Sequence, residues 1–235
     1  MKLRSTTKKK VMSAAVASAL LFSIGSAVAP AQAAKNELVV GSTQGIPQLT
    51  PIIRTFAFEE TLFPLLWSSL TTWKPDGSVG PQLAKSWKAN KAATQWTFTL
   101  VKGAKFSDGS ALDAKAVKAV FDYAIDEKTV TQERNKIKSI TNVKASGDNV
   151  IFTLSDPNAL FPEAIAWIKM IKVSEVANFN KKPSTSGPYM VSAFSPNESL
   201  TMVANPKYFG KKANVKTIKF VKAADQTAAV TSLRS

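Results

Sequence analysis

The sequence predicts a mixed α/β or α+β domain, and three observations carry that prediction. Trp96-Thr97-Phe98-Thr99-Leu100 and Thr217–Val221 alternate apolar and polar residues, the period of a half-buried strand. Val117, Val120, Phe121, Ala124 and Ile125 share one face of a helix. Strand and helix patterns are interleaved without a regular strand–helix–strand rhythm and without internal repeats.

Taken in order, Glu37–Val40 is a short apolar run ending at Gly41 and reads as a first strand. Ser42–Pro51 is polar and contains proline, so it reads as a loop. Phe56–Leu70 has helical spacing through Leu62, Leu66 and Leu70, with Pro64 expected to start or kink the helix. Lys74-Pro75-Asp76-Gly77 is a turn, because proline presets one dihedral and glycine takes the positive one. Leu83–Trp87 reads as a short helix or turn. Asp113 is placed to cap the helix that follows it by accepting from free N–H groups. Asn142–Ala145 and Val150–Leu154 flank Ser146-Gly147-Asp148-Asn149 as a hairpin. Phe161–Ile171 reads as a helix with Pro162 at its start. Pro183–Pro188 is a loop, and Tyr189–Phe194 and Leu200–Ala204 are strands either side of Ser195-Pro196-Asn197. Asp225 is expected to cap a last helix through Val230 and Leu233.

The chain has 235 residues, no Cys and no His. Disulfides, Cys-dependent zinc sites, thiol catalysis and imidazole triads are therefore excluded. No dense carboxylate loop of the calcium-binding kind is present, and no metal or cofactor is expected. No spacing argues for Ser-Lys or paired-carboxylate chemistry, so an enzyme is not expected. The formal charge is +15, and five of the positive charges (Lys2, Arg4, Lys8, Lys9, Lys10) lie in the first ten residues. The remaining lysines are spread along the chain, the pattern of a solvated basic surface.

Those first ten residues form a basic segment, Val11–Ala29 is uncharged and rich in small and apolar residues, and Ala31-Gln32-Ala33 follows. This is the composition of a secretory signal peptide cleaved after Ala33, so residues 1–33 are assigned to it. No Cys follows, which argues against a lipoprotein anchor. The expected location is the periplasm or another extracytoplasmic space of the cell envelope.

Four stretches in this order resemble the family 5 extracellular solute-binding proteins. They are Gly80-Pro81-Gln82-Leu83-Ala84-Lys85-Ser86-Trp87, the long segment Trp96–Val117 centred on Lys105-Phe106-Ser107-Asp108-Gly109-Ser110, Thr185-Ser186-Gly187-Pro188-Tyr189, and Ala204-Asn205-Pro206-Lys207-Tyr208-Phe209-Gly210. The chain departs from the family pattern at Val101, Ser107, Ala116 and Thr185. Large aromatics such as Trp87, Trp96, Phe98 and Phe106 are expected in the core.

The resemblance implies a periplasmic-binding-protein-like lobe (type II, cluster C) with an inserted smaller α+β domain. It implies residues 34–70 plus 184–235 as a discontinuous lobe core, 71–183 as the insertion, and a second lobe absent from this chain. It further implies the substrate-binding component of an ABC importer that captures oligopeptides or dipeptides and delivers them to permease subunits. Alternatives are a member binding a sugar, opine, haem or metal chelate, or an exported basic protein associated with the cell wall. The chain alone is then expected to bind ligand weakly or not at all, since half of the cleft would be missing. Membrane association is expected only through the transporter, and no nucleic acid is expected. The expected ligand-binding residues are Ser42, Thr43 and Gln44 after the first strand, since ligands gather at strand ends. Thr185, Ser186 and Gly187 are expected to return to the same region, offering hydroxyls and backbone N–H groups.

Overall fold

The structure, a computed structural model, describes residues 36–52 and 59–229. The signal-peptide assignment and the end of the expected last helix lie outside the described residues. In chain order the elements are β1 (Glu37–Ser42), α1 (Glu59–Leu66), β2 (Thr71–Trp73), β3 (Val79–Pro81), β4 (Ala84–Ala89) and β5 (Gln95–Leu100). Then come α2 (Ala114–Ile125), α3 (Arg134–Ile137), β6 (Ile140–Ser146), β7 (Asn149–Leu154), α4 (Phe161–Ile165) and a 3-10 segment, Val173–Asn178. β8 (Tyr189–Ser195), β9 (Ser199–Ala204) and β10 (Thr217–Lys222) complete the set.

Two four-stranded sheets organise these elements. The first has the order β1-β10-β9-β8, with β1 parallel to β10 and the other pairs antiparallel. It joins residues 37–42 to residues 189–222. The second is antiparallel, with the order β4-β5-β7-β6, and is built entirely from residues 84–154. A small β2-β3 hairpin lies before it in sequence.

Alternation in β5 and β7 puts Trp96, Phe98, Leu100, Val150, Phe152 and Leu154 on the buried face. There Phe121 of α2 meets Phe152 edge-on at 4.7 Å, and Phe161 of α4 meets it at 5.3 Å. α2 starts where expected: the Asp113 carboxylate accepts from the Lys115 and Ala116 N–H groups, each at 2.9 Å. In the first sheet Leu200, Met202, Ile218, Phe220, Tyr189 and Val191 face the core.

Several expectations are corrected. Leu83–Trp87 is not a helix or turn: Ala84–Ala89 is a strand, because its backbone pairs with β5. The Phe161–Ile171 helix stops after Ile165; Ala166 and Trp167 form a turn, and residues 168–171 leave it as irregular chain. The helix expected through Leu70 ends at Leu66 with Pro64 inside it, and the Trp67 N–H donates to the Phe63 carbonyl at 2.7 Å. β2 and β3, either side of the Lys74–Gly77 turn, have no counterpart among the expected elements.

Candidate functional site

The six residues expected to bind ligand do not form one site. Ser42 ends β1 beside Lys222, and Ser199 and Ser195 complete the same end of the first sheet. Thr185–Gly187 enters β8 at Tyr189, whose partners run through Ala204 to the opposite end, beside Glu37 and Thr217. A strand of six residues spans roughly 20 Å, so the expectation of one shared region is corrected by the strand directions.

The two groups also differ in availability. Thr43 and Gln44 are exposed, while the Ser42 hydroxyl accepts from the Gln44 N–H at 3.1 Å. Thr185 and Ser186 are fully buried. The Thr185 hydroxyl donates to the Tyr189 carbonyl at 2.9 Å, and its N–H donates to the Ser107 hydroxyl at 2.9 Å. The Ser107 N–H returns a bond to the Thr185 carbonyl at 2.8 Å. The Ser186 hydroxyl donates to the Met170 carbonyl at 2.7 Å and accepts from the Ser68 N–H at 3.0 Å. Gly187 N–H donates to the Leu66 carbonyl at 2.8 Å. These groups are committed to partners inside the protein.

Beside this seam Lys172 forms an ion pair with Asp108, and its ammonium lies 3.2 Å from Glu175. Burial pushes the Asp108 carboxyl up, but the bonds from Lys172 and Ser110 outweigh it and hold the group at about 2. Glu175 in turn accepts from the Ser184 N–H and hydroxyl, at 2.7 and 2.8 Å. Burial raises the pKa of the Tyr189 hydroxyl, which donates to the Val215 carbonyl.

Concave surface is found away from these residues. A cavity of about 290 Å³ opens between α1, the β2-β3 hairpin and the chain leaving α4. Its walls include Phe63, Pro64, Trp73, Gln82, Trp167 and Lys169. Trp73 is 43% exposed, and its ring lies 6.3 Å from that of Trp167. The Lys136 ammonium sits 4.9 Å over the Trp167 ring, a cation–π contact. Lys169 is positioned by donating to the Ser69 hydroxyl at 3.1 Å, and the Gln82 side-chain Oε1 accepts from the Ser69 N–H at 2.7 Å. Glu60 also lines the cavity, so charges of both signs border an aromatic wall. Such a wall suits a zwitterionic or amide-bearing solute with an apolar part. Sequence reading missed Trp73, Trp167 and Lys169. The helical period drawn through Phe161–Ile171 hid the last two, and Trp73 carried only its place before a turn.

Among the described residues no group of three or more metal-ligating side chains comes together. No helix among them is long and apolar enough to cross a membrane.

The mixed sheet and the antiparallel sheet built from residues 84–154 define the class as a periplasmic-binding-protein-like α/β fold. The sequence profile of the bacterial extracellular solute-binding proteins, family 5 (middle), matches residues 78–235, and the chain belongs to that family. It is a family of binding proteins, not of enzymes. A probable D,D-dipeptide-binding periplasmic protein, DdpA, of Escherichia coli K12 is 29% identical over 217 residues, 85% of this chain and 42% of that protein. A putative ABC transporter peptide-binding protein of Brucella ovis is 28% identical across all of this chain and 46% of its own length. The crystal structure of NikZ from Campylobacter jejuni with Ni(L-His) superposes with a TM-score of 0.77 at 23% identity, covering 85% of this chain and 42% of that one. The chain thus spans less than half the length of these relatives.

Proposed function

We propose that the chain contributes to the substrate-binding component of an ABC importer that captures oligopeptides or dipeptides outside the cytoplasmic membrane and delivers them to permease subunits. The observation that carries this reading is the cavity walled by Trp73, Trp167, Gln82 and Lys169 in a chain of the solute-binding family. Relatives named as peptide-binding support peptide as the solute. In this reading residues 34–70 and 184–235 form the lobe core and 71–183 an inserted domain, consistent with one sheet shared by the two chain ends and another built inside the insertion. The exposed Thr43 and Gln44 remain candidate contacts from the end of β1, with Ser42 shaping their turn. Thr185, Ser186 and Gly187 would act on a ligand only through the packing they support.

Two tryptophans in one wall allow a direct test. Saturation-transfer NMR, which detects millimolar binding, would be run on the chain with a mixture of di- and tripeptides. Transfer to peptide resonances that is lost in a Trp73→Ala/Trp167→Ala variant supports the reading. Undiminished transfer in the folded double variant overturns it. Sugars, opines, haem and metal chelates tested the same way separate the other solute classes.

A further inference from the structure

From Ser199 to Ala224 the chain carries six lysines and no acidic residue. Four of them, Lys207, Lys211, Lys212 and Lys216, are exposed on the loop joining β9 to β10, at the end of the first sheet opposite Ser42. None of these four makes an ion pair among the described residues. Two carboxylates beside the loop are already engaged. Glu37, at the foot of β1, pairs with Lys219 at 2.9 Å, and Asp108, in the turn that Lys207 overlies at Gly109, pairs with Lys172.

The loop is built, not slack. Buried Asn205 donates to the Gly187 carbonyl at 2.9 Å and accepts from the Lys207 N–H at 2.9 Å. The Lys212 ammonium donates to the Pro206 and Tyr208 carbonyls, at 2.5 and 2.8 Å, closing the loop on itself. Lys216 and Thr217 N–H groups both donate to the Asn36 carbonyl at 3.0 Å. Cations are thereby held on one fixed pole, and part of the cost of gathering like charges falls on the fold.

We propose that this pole is a docking surface for a linear polyanion of the cell envelope, which would hold the protein near its site of work. Charge complementarity points to the partner. Lysine offers compact point charges without the bidentate geometry of arginine, which suits repeated phosphate or carboxylate groups along a polymer. A bilayer fits less well, because surface-seated segments add apolar side chains to their cations. None of the exposed large apolar residues is on this loop itself, and only Leu38 and Val39, which follow Glu37 on the edge strand β1, adjoin it. Tyr208 and Phe209 are half-buried against each other, with ring centroids 4.8 Å apart.

The test uses the full chain and long-chain inorganic polyphosphate as probe, with binding measured between 50 and 200 mM NaCl. Three neutralising substitutions, Lys207→Gln, Lys211→Gln and Lys216→Gln, are compared with a charge-matched set on the other sheet, Lys85→Gln, Lys88→Gln and Lys144→Gln. Lys212 is kept because it closes the loop. Counterion release predicts that the loop variant flattens the slope of log affinity against log salt by about 2. The charge-matched variant is expected to keep the parent slope. Equal effects of the two sets would mean a generic charge effect and overturn the proposal, as would no binding at 50 mM NaCl. Binding to vesicles containing one-third phosphatidylglycerol, without binding to polyphosphate, would overturn it in favour of a membrane surface.

Discussion

The Asn205 amide donates to the Gly187 carbonyl at 2.9 Å, and so ties together two stretches that lie 18 residues apart in the chain. Its other side-chain atom accepts from the Lys207 N–H, and its backbone N–H donates to the Pro188 carbonyl. Asn205→Ala would leave a buried carbonyl without its donor. A loss of about 1–3 kcal/mol is expected, read from the urea midpoint at unchanged slope. Asn205→Asp would retain the acceptor and lose the donor, so it is not expected to rescue.

Gly187 is constrained by close approach, not by its backbone angles. A Cβ there would lie 2.6 Å from the Leu65 carbonyl oxygen and 2.6 Å from the Leu66 carbonyl carbon, both main-chain atoms. Gly187→Ala should therefore lower thermal stability by the equivalent of about 1–3 kcal/mol. A melting temperature equal to the parent's would show that α1 can withdraw without cost.

The Asp113 cap gives a milder expectation. Asp113→Ala removes the acceptor for two N–H groups at the start of α2 and should cost about 1 kcal/mol, while Asp113→Ser should restore most of it. Chemical denaturation of the three proteins checks the order.

Asp108 supplies a pH dependence. Its folded pKa of about 2 is below the unfolded value, so its stabilising effect is complete above the unfolded value near 4 and is lost as pH falls through about 2. Asp108→Asn should be less stable than the parent at pH 6, and the gap should narrow between about pH 4 and pH 2. A gap that stays constant over that window would show that the Lys172 pair contributes no differential protonation. Asp108 is partly exposed, so added salt should also shrink the gap.

Much of the fold was legible in the residues because its signals are local. The alternation in Trp96–Leu100, the cap at Asp113, the stripe along α2 and the turn at Gly147 (φ 57°) each depend on neighbours a few positions away. β4 was not legible, since Leu83–Trp87 is too short to show a period and becomes a strand only by pairing with β5. The end of α4 was hidden for a related reason: apolar residues at helical spacing continue past Ile165, but Met170 N–H donates to the Ser68 carbonyl and draws the chain away from the helix.

The candidate site divides along the same line. Residue types and ordered stretches by themselves determined the family, the absence of thiol and imidazole chemistry, and a basic surface. Only the tertiary structure decided that Ser42 and Thr185 lie at opposite ends of one sheet, because strand direction is set by pairing between residues far apart in sequence. It alone turned the Thr185–Gly187 hydroxyls and amides inward, and it alone brought Trp73, Trp167 and Lys169 around one cavity. A cavity wall is assembled from distant segments, and no local period records which segments will meet.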